Sequence, residues 1–189
     1  MTTESTNIPS VFVLTPLVHE DERGFFMESY RSDAVALAGI TQPFVQDNHS
    51  RSNTSNTVRG LNFQWDEPMA KIMRVTRGSA FLVAVDIRKG SPTLGRWVGI
   101  EATEKNKKQL YAPAGFARGF QTLTEICEVQ YKCSALYNPQ AQGEILWNDP
   151  KIGIAWPQAG EPVMSERSRA AGTLEEWFAR TESNIFTYE

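Results

Sequence analysis

The sequence predicts an all-β protein, a barrel or sandwich of the jelly-roll kind with short peripheral helices. Three observations lead there. Short runs of β-branched and aromatic residues recur at roughly 8–12-residue spacing between turn residues. Helical periodicity is scarce along the 189 residues. The ten prolines fall mainly at the ends of those runs, where a missing N–H removes no ladder bond.

The expected strands cover residues 11–14, 25–30, 71–75, 80–87, 97–101, 109–112, 119–122 and 128–133. Ala80-Phe81-Leu82-Val83-Ala84-Val85-Asp86-Ile87 is nearly continuous in apolar residues, as a strand packed on both faces would be. Two helices are expected. One covers 32–38; the other covers 173–178, opened by Thr173 as N-cap with Glu175 and Glu176 in its first turn. Trp147-Asn148-Asp149-Pro150 is a turn, and Ile152-Gly153-Ile154-Ala155-Trp156-Pro157 a short edge segment ended by proline. The whole chain, 1–189, is expected to form one domain with residues 1–10 loose.

Composition narrows the function classes. Hydrophobic residues make up 41% of the chain and charged residues 22%, enough for a core and an ordinary polar surface. Nineteen basic and 22 acidic residues give a net charge of −3 with no basic block, so nucleic acid is not the expected partner. The apolar runs fall far short of the ~18 residues of a membrane span, and residues 1–10 lack the layout of a signal peptide. A cytoplasmic protein without a membrane partner is expected. Cys127 and Cys133 are too few for a disulfide framework or a four-thiolate zinc site, and are read as packed thiols.

Four polar clusters interrupt this pattern. Asp21-Glu22-Arg23-Gly24-Phe25-Phe26-Met27-Glu28 puts a charged turn before an aromatic strand; alone, it reads as a solvated hairpin. Gln46-Asp47-Asn48-His49-Ser50-Arg51-Ser52, followed by Val58-Arg59-Gly60-Leu61-Asn62-Phe63-Gln64, carries amides and hydroxyls at every second position. That alternation suits the lining of a wet pocket inside a barrel better than a core. Pro113-Ala114-Gly115-Phe116-Ala117-Arg118-Gly119-Phe120 projects an arginine between apolar neighbours, and alone suits a strand end. Tyr131 and Tyr137 flank a strand exit, where ordinary β-formers also occur.

In this order, and together with Ala84-Val85-Asp86-Ile87-Arg88, Ser91-Pro92-Thr93-Leu94-Gly95 and Trp147-Asn148-Asp149-Pro150, these segments resemble the dTDP-4-dehydrorhamnose 3,5-epimerase family over about residues 10–170. The resemblance implies a cupin-type jelly-roll barrel and a homodimer, with N-terminal strands packing across the two-fold axis. It also implies a sugar pocket in the barrel and epimerisation of a dTDP-linked keto sugar without metal or redox cofactor. Such a reaction needs a base for the C–H beside a ketone, a charge sink for the enolate oxygen, and an acid. The resemblance puts Lys71 in the sink position, Tyr131 in the acid position and Tyr137 in that of a second, positioning tyrosine. Arg23, Glu28, Gln46, Asn48 and Arg59 match residues that hold the nucleotide and diphosphate, and Phe26 a stacking partner for thymine. Arginine forks suit phosphate on physical grounds as well.

Where the family has its basic histidine, in an Arg-Gly-Leu-His motif, this chain has Asn62. The supporting aspartate is replaced by Ser168, next to Arg167, which is counted with the substrate-binding residues. Arg118 stands for another histidine and Gln142 for a glutamate. An amide does not accept a proton near neutral pH. With Asn62 and Arg118 at the usual cupin ligand positions, no metal and no cofactor are expected. Three readings follow: an isomerase with an altered base, such as a Tyr131 whose pKa Lys71 and Arg118 lower; a nucleotide-sugar-binding protein without turnover; or another reaction type that reuses the barrel.

Overall fold

The computed structural model describes residues 1–188. Two antiparallel sheets face each other across an apolar interior. The larger sheet is built from β1 (Thr2–Ser5), β2 (Phe12–Thr15), β10 (Gln109–Ala112), β7 (Lys71–Arg77), β12 (Cys127–Cys133) and β5 (Gln46–Ser52), in that spatial order. The smaller has the order β13 (Gln142–Glu144), β6 (Val58–Gln64), β11 (Phe116–Thr122), β8 (Ser79–Asp86) and β9 (Trp97–Thr103). A hairpin of β3 (Val18–Asp21) and β4 (Gly24–Met27) stands apart from both. This is the cupin-type jelly roll.

Strand alternation distributes the core. Ala80, Leu82 and Ala84 of β8 meet Met73, Val75 and Val129 of the other sheet between the layers. The intervening Val83 and Val85 face outward, under Trp177 and Phe186 of the C-terminal segment, so β8 is apolar throughout because both its faces are covered. Leu14, Ile72 and Tyr111 form a third cluster on the outer face of the larger sheet, packed with Val35 and Ile40.

Helix α1 (Ser32–Ala36) is shorter than the expected 32–38, closing ahead of Gly39 with its positive φ of 84°. Helix α3 (Leu174–Phe178) carries a full capping box: the Thr173 hydroxyl takes the Glu176 N–H while the Glu176 carboxylate takes the Thr173 N–H. A further one-turn helix, α2 (Glu166–Arg169), is N-capped by Ser165.

Several expectations are corrected. Residues 1–10 are not loose: β1 pairs with β2 and Ile8 is fully buried. The side chains of β1 all face solvent, so its backbone ladder leaves no hydropathy signal. The strand expected over 25–30 ends at Met27, and Glu28 lies beyond it. Residues 152–157 form no strand; Ile154 and Trp156 pack against the outer cluster and Trp156 Nε1 donates to the Trp147 carbonyl. No helix among the described residues is long and apolar enough to cross a membrane.

Candidate active site

The interior is dry only at one end. At the other end, polar residues replace apolar ones on the inward-facing positions of four strands, and a cavity of about 520 Å³ opens between the sheets. Inward-facing Lys71 and Met73 come from β7, Tyr131 from β12, Arg118 from β11 and Asn62 from β6. Arg59 stands at the exposed rim, and Arg167 and Ser168 close one side from α2. A smaller hollow of about 100 Å³ shares Asn62, Lys71, Tyr131 and Gln142 with it, and adds Gln46, Asn48 and Tyr137. The predicted residues Asn62, Lys71, Tyr131, Arg118, Arg59, Gln142, Arg167, Gln46, Asn48 and Tyr137 are thus brought together.

Arg23, Phe26 and Glu28 are not. In β7, Lys71 and Met73 point inward, so Ile72 and Arg74 point to the opposite face of the sheet. Phe26 borders a hollow with Arg74, Thr76 and Lys107, and Glu28 one with Leu17 and Arg31, both away from the cavity. Arg23 is spread in solvent and forks onto Asp21.

Hydrogen bonds fix one wall. Tyr137 Oη donates to Gln142 Oε1 at 2.7 Å, and Gln142 Nε2 donates to Asn62 Oδ1 at 3.0 Å. Gln46 Nε2 donates to Asn48 Oδ1 at 2.9 Å, and Gln46 Oε1 accepts the Tyr137 N–H. A row of amides and a phenol therefore holds itself in place while leaving groups for a polyhydroxylated ligand.

Charge is unevenly distributed around the cavity. Arg118 is only 3% exposed. Its Nη1 donates to the carbonyls of Met69 at 2.7 Å and Pro113 at 3.0 Å, while Nε and Nη2 have no partner among the described residues. Burial draws its pKa down to about 10, which leaves it charged at neutral pH. Lys71 Nζ lies 4.9 Å from the centre of the Tyr131 ring. Burial, and next the Arg118 charge, bring the Lys71 pKa down to about 8, against a small opposing pull from Cys133. Burial pushes the Tyr131 phenol up, with the Cys133 thiol adding to it. The expectation of a Tyr131 pKa lowered by Lys71 and Arg118 is therefore overturned: desolvation of the phenolate dominates, and the lowering influences are an Asn48 hydrogen bond and the Arg59 charge.

Among the cavity residues that sequence reasoning missed, such as Ser50, Met73 and Ser165, Glu144 is the charged one. Its carboxylate is 7% exposed, 3.8 Å from Arg167 Nε, and Oε1 has no partner among the described residues. A lone acid directly ahead of the apolar run Ile145-Leu146-Trp147 is the signal that marks it. Among the described residues no three His, Cys, Asp or Glu side chains converge in a metal-binding group.

Fold and cavity together define a cupin-type barrel protein with a cation-rich pocket for a small polar ligand. A profile described as dTDP-4-dehydrorhamnose 3,5-epimerase matches residues 5–176, and the chain belongs to that family. It is 49% identical over 173 residues to the dTDP-4-dehydrorhamnose 3,5-epimerase of Salmonella typhimurium, a match covering 90% of this chain and 94% of that one. In structure it is similar to the Legionella pneumophila dTDP-6-deoxy-D-glucose-3,5-epimerase in complex with dTDP-4-keto-L-rhamnose. That match has a TM-score of 0.93 at 37% identity and covers 100% of this chain and 98% of that one. A Streptomyces bikiniensis 3'-monoepimerase matches with a TM-score of 0.88 at 32% identity, covering 97% of this chain and 92% of that one. It was solved with dTDP as a double mutant in which one histidine became asparagine and one tyrosine phenylalanine.

Proposed function

We propose that this protein is a nucleotide-sugar isomerase of deoxysugar biosynthesis. It acts in the cytoplasm on the carbons beside the ketone of a dTDP-linked 4-keto-6-deoxyhexose. The observation that carries the reading is the cavity itself: Lys71, Arg118, Arg59 and Arg167 face it against the single carboxylate of Glu144, with the Tyr131 phenol among them. Such a surplus of cations suits a diphosphate and a developing enolate. In this reading Arg59 holds the diphosphate, Gln46 and Asn48 contribute to the nucleotide side, and Tyr137, Gln142 and Asn62 bind sugar hydroxyls. Tyr131, which keeps its proton, serves as the acid. The whole chain acts as one jelly-roll domain, and two copies form a homodimer.

Calorimetry with dTDP tests the binding half. Arg59 has no carboxylate partner among the described residues; it donates only to Ser52 Oγ at 3.3 Å and the Arg51 carbonyl at 3.1 Å. Arg59→Ala should weaken dTDP binding about 10- to 100-fold, equivalent to losing one charge-assisted contact of ~1.5–3 kcal/mol. Unchanged affinity would refute the assignment. A second reading, binding without turnover, is favoured by one observation: the position where the family carries its base holds an amide already engaged by Gln142. It predicts tight dTDP binding with no exchange of sugar protons for solvent deuterium.

A further inference from the structure

An isomerase of this kind must take a proton from carbon, and the cavity contains few groups able to do so. Asn62 is an amide, and Ser50, Ser165 and Ser168 offer only hydroxyls. The guanidinium groups of Arg59, Arg118 and Arg167 offer donors and no acceptor. Tyr131 and Cys133 on β12 hold their protons more tightly than usual, as burial disfavours phenolate and thiolate. The Glu144 carboxylate stands beside Arg167, 3.8 Å from its Nε, on the β13 edge of the smaller sheet.

Lys71 differs from all of these. It lines both the main cavity and the adjoining hollow, and among the described residues its amine has neither an ion pair nor a hydrogen-bond partner. Arg118 approaches it from β11, Tyr131 and Cys133 from β12, and Glu144 belongs to the far wall on β13. The full charge that acts on it is thus another cation, itself fixed by backbone carbonyls of Met69 and Pro113. A lysine held by a carboxylate would remain an ammonium; this one has only the face of the Tyr131 ring and the Cys133 thiol to favour its charge, and burial and Arg118 outweigh both.

We propose that Lys71 is the proton acceptor of the reaction, and that Arg118, which shares the cavity with it, is a positioning residue that acts through it. The inference rests on the isomerase reading above. In the step, the C–H bond beside the ketone breaks and its proton goes to the free electron pair of Nζ. The C–H electrons form the enolate carbon–carbon double bond, and the carbonyl π pair moves onto oxygen. The new ammonium then lies beside the negative charge it has created, so one side chain supplies base and charge sink in succession. Tyr131 Oη–H returns a proton to carbon, and the resulting tyrosinate recovers one from Lys71 through water. The pKa of about 8 brings the amine near the range in which a general base works best at physiological pH.

The test follows deuterium incorporation into a dTDP-4-keto-6-deoxyhexose in heavy-water buffer from pH 6 to 9.5, corrected for exchange without enzyme. Wild type should exchange, with a rate that rises through an apparent pKa near 8. Lys71→Arg keeps a cation that cannot accept a proton; it should lose exchange by ~10²–10⁴ at every pH while binding dTDP within a few-fold of wild type. Arg118→Met should move this rising limb to higher pH, whereas Arg118→Lys should leave it near its place. A purely structural role for Arg118 would lower rates without moving the limb. If Lys71→Arg still exchanges within about three-fold of wild type, Lys71 is not the base, and loss in Glu144→Gln instead would hand the role to Glu144. If wild type binds dTDP but exchanges at no pH, the isomerase reading falls and this inference falls with it.

Discussion

Lys71 illustrates how a single buried amine links stability to pH. In the unfolded chain its pKa is that of an ordinary lysine, 10.5; in the fold it is about 8, mainly through burial. Between those values the unfolded chain binds more protons, so the contribution of Lys71 to stability rises with pH across that window. Below pH 8 the folded protein carries the full cost of a desolvated ammonium, at most ~3 kcal/mol. Lys71→Met should therefore melt at a higher temperature than wild type at pH 7. The gap should narrow between pH 8 and 10.5, as followed by calorimetric scans of both proteins without ligand. A gap independent of pH would mean that the lysine is not perturbed. The identity of the altered groups, Asn62, Arg118, Gln142 and Ser168, was legible from their motifs alone. Their environment was not: a linear motif carries no record of whether an arginine is 3% exposed, or whether burial dominates at Tyr131.

The same division appears among the elements. Strands with one or two apolar faces announced themselves, and β10 falls on the predicted residues because all four of its side chains are buried. Elements defined by backbone pairing alone did not. β1 is polar and solvent-facing, β3 is three-quarters exposed, and the one turn of α2 is too short for any periodicity to show. The pairing of β6 with β11 matters most for the site, since it sets Asn62 opposite Arg118 and Arg59 opposite Phe120. Gly119 makes that pairing close. A Cβ there would fall 2.6 Å from the Arg59 carbonyl oxygen and 3.2 Å from Leu61 Cδ2. The first of these atoms belongs to backbone and cannot rotate away. Gly119→Ala should lower stability by about 1–3 kcal/mol in denaturant titration. It should also weaken dTDP binding by displacing Arg59, although the mutated residue offers the ligand no side chain. Unaltered stability would show that the two strands separate freely.

At the scale of the whole molecule, geometry separates part of the matched nucleotide site from the cavity. Three residues matched to nucleotide recognition, Arg23, Phe26 and Glu28, lie on or just beyond the β3–β4 hairpin, on the outer side of the larger sheet from the cavity. Phe26 is 68% exposed and Phe25 55%, an unusual position for two adjacent aromatic rings unless something covers them. No rearrangement of side chains within one chain carries them through a sheet. In the proposed homodimer a second copy would bring them to the cavity rim, and a two-fold axis would make the exchange mutual, each hairpin serving the other subunit's pocket. The exposed outer edge of β1 offers N-terminal backbone for the same interface. Sedimentation should then show a dimer at micromolar concentration. Arg23→Ala and Arg59→Ala should each weaken dTDP binding, and mixing the two variants should restore tight sites through subunit exchange. A mixed dimer holds one pocket with both arginines and one with neither, so random pairing gives tight binding at up to about a quarter of all pockets. If Arg23 instead served its own subunit, every pocket in the mixture would lack one arginine, and calorimetry would find no tight sites at all. A monomer in sedimentation, or an Arg23→Ala protein that binds dTDP as wild type does, would remove the hairpin from the nucleotide site altogether.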